Sequence, residues 1–248
     1  MSQQRPIIDS VAATKPAALL ISPVDSDALT PDLKQMQTGG TKVVLVDTTV
    51  SDNAIGVSRI SSDNEAGGKT AADALAKEMG DKGSAIVISV KPGVSTTDAR
   101  IKGFQDQIKT HPNITLLPVQ YDNDDPAKAA QILQSTVAAH PDLAGVFADN
   151  VKTAEGVAAG VNQAGKKGAI KISAFDAGPQ QVQDLKNGTV QVLIAQDPGN
   201  IGVQGVQQAV AAIQGKSVQA SIGTTLVAIT ASNMNDPNVS KYFYKGSC

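Results

Sequence analysis

The chain has 248 residues, 41% hydrophobic, 18% charged and 3% aromatic, with no Trp and a formal net charge of -2. That length holds one large domain or two modest ones, and the composition is that of a folded globular chain rather than a disordered or fibrous one. Scattered basic residues exclude a site for a phosphate backbone or an anionic membrane. Cys248, the last residue, is the only cysteine, which excludes an internal disulfide and fits a free tail thiol. No stretch approaches the length of a transmembrane helix, and Met1 to Lys15 lacks the basic start and apolar run of a signal peptide.

Short β-branched runs recur along the chain. They are Ala18 to Pro23, Lys42 to Asp47, Ser84 to Val90, Ile114 to Tyr121, Ala144 to Asn150, Ile170 to Asp176, Val190 to Asp197 and Thr224 to Thr230. Most are nearly continuous apolar runs, the pattern of strands buried on both faces. Helical patterns lie between them. Asn64, Ser95 and Asp125 stand at helix starts, with Pro126 in a first turn and Asp98 placed as a capping-box acid for Ser95. Gly165 and Gly188 mark helix ends, and Val203, Val206, Val210 and Ile213 predict one apolar helix stripe. The tail from Ser232 is polar and carries Tyr242, Phe243 and Tyr244, whose rings either pack on the body or belong to a loose terminus.

Strand and helix alternating with short connections imply right-handed βαβ units, parallel sheets and the α/β class. Such sheets carry ligand residues at the carboxyl ends of their strands. Here those ends are polar: Ser22, Asp47, Ser62 with Asp63, Ser89, Tyr121, Asn150, Phe175 with Asp176, and Gln196.

Other motifs fall away. Gly68, Lys69 and Thr70 mimic the end of a P-loop, but Asp63 stands where the pattern needs glycine and would repel a phosphate, so Gly67 and Gly68 read as close-packing positions. Asp122 to Asp125 lack the glycine and the final Glu of a calcium loop. His111 and His140 each precede proline at a helix end. There is no GxSxG elbow, no HExxH and no Cys near a His, so hydrolysis has no constellation to stand on and neither a metal nor a cofactor is expected. Carboxylates exist for acid/base work, but a pair that only grips a ligand is indistinguishable in sequence from a catalytic pair.

Several segments together resemble the ribose-binding-like family of periplasmic sugar receptors of ABC importers, the type I periplasmic-binding-protein fold. They are ISPVDSDAL (Ile21 to Leu29), VLVDT (Val44 to Thr48), SSDNEAGG (Ser61 to Gly68), TDARIKGF (Thr97 to Phe104), HPDLAGVFADN (His140 to Asn150), AFDAGP (Ala174 to Pro179) and IAQDP (Ile194 to Pro198). The resemblance implies two doubly wound parallel-sheet lobes joined by a hinge. The N-lobe would be residues 1–62 plus 197–224 and the C-lobe 63–196 plus 225–248, with crossings near Ser62, Gln196 and Thr224. Family members have a strand, a helix and a strand before the helix that here lies at about Gln3 to Thr14. The resemblance therefore implies an incomplete N-lobe, a start lying upstream, and association or aggregation in place of the monomer otherwise expected.

The resemblance also implies function: a non-enzymatic receptor, periplasmic or at the cell surface, that closes on a small sugar or polyol and presents it to an ABC permease, with no nucleic acid partner. The alternative is the effector-sensing domain of a LacI-type repressor, which shares the fold but needs a basic helix-turn-helix that the chain does not contain. Asp176 and Asp47 would accept from sugar hydroxyls, Arg100 would donate in a fork, and Asn150 and Gln196 would set orientation. Phe175 and Tyr121 offer rings to the C–H faces, and Ser22, Ser62 and Ser89 offer hydroxyls. Other roles stay open at this level: Asp47 and Asp63 as helix caps, Arg100 as a surface residue, Phe175 as core. Ribose binders have Arg where this chain has Thr48 and Asn where it has Ser22, which leaves a hexose, polyol or inositol open.

Overall fold

The computed structural model describes residues 3–245, so the Cys248 thiol lies outside the described residues. In chain order the elements are α1 (Gln4–Ala13), β1 (Ala18–Ile21), α2 (Thr30–Thr38), β2 (Lys42–Val46), β3 (Ser58–Ser62), α3 (Asn64–Met79) and β4 (Gly83–Ser89). They continue with α4 (Ser95–Ile108), β5 (Ile114–Leu116), β6 (Gln120–Tyr121), α5 (Pro126–Ala139), β7 (Leu143–Ala148), α6 (Val151–Gln163) and β8 (Lys171–Phe175). The last are α7 (Pro179–Lys186), β9 (Val192–Ala195), α8 (Pro198–Ile213), β10 (Ser221–Thr224), β11 (Val227–Thr230) and α9 (Pro237–Ser240).

These elements form two compact units. Unit 1 takes the chain up to Asp63, then Gly93–Asp98 and Asp197–Thr225; unit 2 takes Asn64–Pro92, Ala99–Gln196 and the chain from Leu226. The sequence reading put Gly93–Asp98 in the second lobe. Hydrogen bonds place it in unit 1: Ser26 N–H donates to Gly93 O at 3.0 Å and Thr49 N–H donates to Ser95 Oγ at 2.8 Å. Ser95 therefore spends its hydroxyl on a loop of unit 1, and Asp98 Oδ2 accepts from Gly93 N–H at 2.9 Å instead of closing a capping box.

Unit 1 is a parallel sheet in the order β1-β2-β3-β10. One face packs on α1 and α2 through Ile8, Leu33, Met36, Val43 and Leu45, and the other on α8 through Val44, Ile60, Ile201 and Ala209. The stripe predicted on α8 is real, but it faces outward. Val203, Val206, Val210 and Ile213 are 54, 53, 45 and 50% exposed. The helix carries a second line of small and apolar residues, Ile201, Gly205 and Ala209, and this one meets the sheet. Gly205 favours the choice: a Cβ there would lie 2.9 to 3.0 Å from the Val46 and Leu20 side chains, which would have to give way to admit it.

Unit 2 is a seven-stranded sheet in the order β11-β9-β8-β7-β4-β5, with β6 also paired to β4. Its central strands are buried along almost their whole length, as parallel strands covered on both faces must be. α3 and α4 cover one face, where Phe104 and Phe147 stack with ring centroids 4.8 Å apart. α5, α6 and α7 cover the other.

Two predicted runs break. Pro118 cannot donate to a ladder, and the run from Ile114 splits into β5 and β6. The run from Thr224 splits between the units: β10 joins β3 in unit 1, and β11 pairs antiparallel with β9 in unit 2, a departure from the all-parallel expectation. Asp125 caps α5, accepting from Ala127 N–H at 2.8 Å. Gly165 and Gly188 take φ of 65° and 78° just beyond the ends of α6 and α7.

Candidate functional site

The strand ends of unit 2 gather most of the residues singled out from sequence. Arg100 on α4 is only 3% exposed, so it is not a surface residue. Its Nε donates to Asn64 Oδ1 at 2.8 Å, one terminal nitrogen donates to the Asp149 carbonyl at 2.7 Å, and the guanidinium lies 3.6 Å from the centre of the Phe175 ring. Phe175 is fully buried and serves as the floor under that cation as well as core.

Two glycines make this placement attainable. A Cβ on Gly68 would collide with the Arg100 backbone carbonyl, and one on Gly103 with the Glu65 carbonyl, so α3 and α4 touch backbone to backbone. Gly67 leaves room for the Phe175 ring, which a Cβ would approach to 2.7 Å. Gly68, which imitates the end of a P-loop, is half of the contact that seats Arg100.

Asp176 follows β8 with φ of 77°, and its N–H donates to Ile194 O at 2.8 Å. Its Oδ1 accepts from Gln196 Nε2 and from the Tyr244 hydroxyl, both at 2.8 Å. Gln196, 8% exposed, keeps its Oε1 buried and without a hydrogen-bond partner among the described residues. Asn150 caps α6, its Oδ1 accepting from Thr153 N–H at 2.8 Å while its Nδ2 donates to Asp124 at 2.8 Å. An amide has capacity beyond those two bonds. Tyr121 is half-buried, packed against the cluster that contains Phe175.

Sequence reading passed over Asp149, the neighbour of Asn150. It is fully buried, and neither carboxylate oxygen has a hydrogen-bond partner of good geometry among the described residues. Burial pushes its carboxyl up to about 7, against the opposing pull of the Ser89 hydroxyl and the Arg100 charge and with the push of Asp122 and Asp176. Ser89 itself is fully buried. Asp122 is raised as well, chiefly by burial, although Thr153 Oγ1 donates to it at 2.6 Å. For Tyr244 the sequence offers only a ring packed on the body or a place in a loose terminus. No motif marked either residue: Asp149 lay one position before the predicted strand-end amide, and Tyr244 is in the tail.

In unit 1, Asp47 follows β2 with φ of 63°, and its N–H donates to Ile60 O at 2.7 Å. No helix starts between β2 and β3 among the described residues, which removes the helix-cap role for Asp47; Asp63 directly precedes α3. The loop that follows Asp47 is pinned by Arg59, whose terminal nitrogens reach Thr49 Oγ1 at 2.9 Å and the carbonyls of Val50, Asp52 and Ile55 at 3.2, 2.7 and 3.0 Å. Ser22 is exposed, with its Oγ 2.7 Å from Thr48 Oγ1. Ser62 is buried, 3.1 Å from Thr224 Oγ1. Ser22 and Ser62 thus share their hydroxyls within their own unit.

Two α/β units built on parallel sheets, with polar side chains collected at the strand ends, have the fold of type I periplasmic sugar-binding proteins. The chain belongs to the periplasmic binding protein family: residues 1–217 match the family described as "Periplasmic binding protein domain". It is similar to the ribose import binding protein RbsB of Salmonella typhimurium, 34% identical over 202 residues that cover 82% of this chain and 67% of that protein. It is also similar to an ABC transporter solute-binding protein of Agrobacterium vitis solved with α-D-tagatopyranose. There the identity is 43% and the TM-score 0.95, over 97% of this chain and 84% of the other. A second solute-binding protein of Agrobacterium vitis, solved with D-fucose, is 28% identical with a TM-score of 0.94, over 98% of this chain and 84% of the other.

Proposed function

We propose that this chain is the substrate-binding component of a sugar ABC importer and holds a monosaccharide, in the pyranose form, without transforming it. The observation that carries the reading is the linked array at the strand ends of unit 2. A buried guanidinium lies on an aromatic ring beside a carboxylate held by an amide and a phenol. Sugar hydroxyls both donate and accept, and charge-assisted bonds to Arg100 and Asp176 would supply most of the affinity, about 1.5 to 3 kcal/mol each. Asn150 and Gln196 would add neutral bonds, and the Gln196 Oε1 that lacks a partner would take a hydroxyl. Asp47 is the sugar-binding residue proposed for unit 1. The tagatopyranose-bound relative, at 43% identity, supports a hexose over ribose. Work at the periplasmic or outer cell surface and delivery to a membrane permease follow from the same reading.

Calorimetric titration with D-tagatose, D-fucose, D-arabinose and D-ribose tests it, with NMR of the mixture to watch the sugar. Binding of one sugar with no product is the expected result. Asp176→Asn keeps the shape but turns an acceptor into a donor, and should weaken binding at least ~100-fold. Undiminished affinity in that variant would remove Asp176 from the site, and any turnover would overturn the binding-only reading.

A further inference from the structure

The tail brings one residue to the carboxylate on which the proposed function depends. Tyr244 is fastened at three points, all within unit 2. Its backbone N–H donates to Ala177 O at 2.9 Å, its hydroxyl donates to Asp176 Oδ1 at 2.8 Å, and the same hydroxyl accepts from Gln196 N–H at 3.3 Å. Val239, Tyr242 and Phe243 pack against the core cluster of α5, α6 and α7, which anchors the segment leading to it. The chain leaves unit 2 directly after Gln196.

A carboxylate oxygen has about two acceptor sites. Asp176 Oδ1 fills both, one with Gln196 Nε2 and one with Tyr244. The Asp176 rotamer is thereby locked, and one oxygen is withdrawn from the ligand.

We infer that Tyr244 is a positioning residue for sugar binding: it occupies Asp176 Oδ1 together with Gln196, so that the sugar meets Oδ2 alone and cannot bridge both oxygens with a pair of neighbouring hydroxyls. This rests on the sugar-binding reading above. Burial first, and then the charge of Asp176 and the bond to it, raise the Tyr244 hydroxyl above the usual tyrosine range, which keeps it a donor at every physiological pH.

The test uses Tyr244→Phe, which keeps the ring, and Tyr242→Phe as a control in the same tail. Tyr244→Phe should weaken D-tagatose binding about tenfold or more. The control should bind like the wild type, and both unliganded variants should melt within about 4 °C of it. Affinity of Tyr244→Phe within about twofold of wild type would overturn the positioning role.

A second measurement starts from the native protein. The chain has three Tyr and no Trp, so alkaline ultraviolet titration of the native protein reports tyrosine alone. The Tyr244 hydroxyl should ionise above the usual tyrosine range, and a shortened delay in Asp176→Asn would tie part of that rise to the carboxylate. Simultaneous ionisation of all three would overturn the inferred contact. Failure of the wild type to bind any sugar in the panel would instead sink the sugar-binding reading, and the positioning role with it, even where the delayed tyrosine is seen.

Discussion

Replacing Asp149 by Asn should change how stability depends on pH, and the size and sign follow from its burial. The carboxyl stands near 3.8 in an unfolded chain and at about 7 in the folded one. Between those values the folded state holds a proton that the unfolded state has lost. By linkage, unfolding free energy then falls as pH rises, by about 1.4 kcal/mol per pH unit across the window, and levels off above about 7. From pH 5 to pH 8 the wild type should lose about 2 to 3 kcal/mol from this group alone. Asn has the same shape and does not titrate. Urea unfolding of both proteins at pH 5 and pH 8 therefore gives a double difference in which every other titrating group cancels. The wild type should gain about 2 to 3 kcal/mol relative to the variant on going to pH 5. A difference between the two proteins that is equal at both pH values would show that Asp149 is ionised throughout, and would overturn the account of it as a carboxyl kept protonated by burial.

Gly68→Ala should cost about 1 to 3 kcal/mol, because its methyl meets the Arg100 carbonyl and forces α3 and α4 apart; chemical denaturation measures the cost, and sugar titration should show affinity falling with it. Arg100→Lys keeps the charge but loses the fork that reaches Asn64 and the Asp149 carbonyl, and should weaken sugar binding about tenfold or more by calorimetry. His111 lies 3.0 Å from Asp73 and 2.7 Å from Asp81, and these contacts raise its pKa, the bond to Asp73 most. Its stabilisation is present below about pH 6.5 and lost as pH rises through the folded value. His111→Gln should lower the melting temperature at pH 5.5 and not at pH 8.5, and since both aspartates are largely exposed the effect should stay within about 1 kcal/mol.

The strand ends were legible because parallel strands buried on both faces announce themselves as apolar runs, and the polar residue that closes each run is conspicuous. β3 shows the limit. Its sequence, SRISS, is too polar to read as a run, and only its last residue was picked out. The α8 stripe shows a second limit: periodicity finds an apolar face but does not say which of two faces meets the sheet, a choice that Gly205 favours. Asp149 was hidden for a different reason. A buried, unpaired carboxylate runs against every local rule, so only tertiary packing reveals it. Tyr244 was hidden because its partner lies 68 residues away.

Asp47 and Asp176 occupy one design used twice. Each directly follows a parallel strand, β2 or β8, and each takes a positive φ, 63° and 77°. Each also donates its N–H to the strand that comes next in its own sheet, at Ile60 O or Ile194 O, 2.7 and 2.8 Å away. The left-handed conformation costs about 1 to 2 kcal/mol for most residues, and Asp and Asn tolerate it better than others because a short polar side chain can bond locally. Glycine would be the easiest choice on backbone grounds alone. Aspartate in place of glycine at both turns therefore argues that the carboxylate is wanted there, since strain of this kind collects where a site needs it. Backbone strain and the need for a carboxylate can be told apart by substitution. Asp→Asn at either position should leave the melting temperature nearly unchanged while weakening sugar binding, whereas Asp→Val should lower it through the backbone, by about 1 to 2 kcal/mol of stability. Equal stability of the Asn and Val variants would mean that these turns are not strained, and the inference from strain to function at Asp47 and Asp176 would fail.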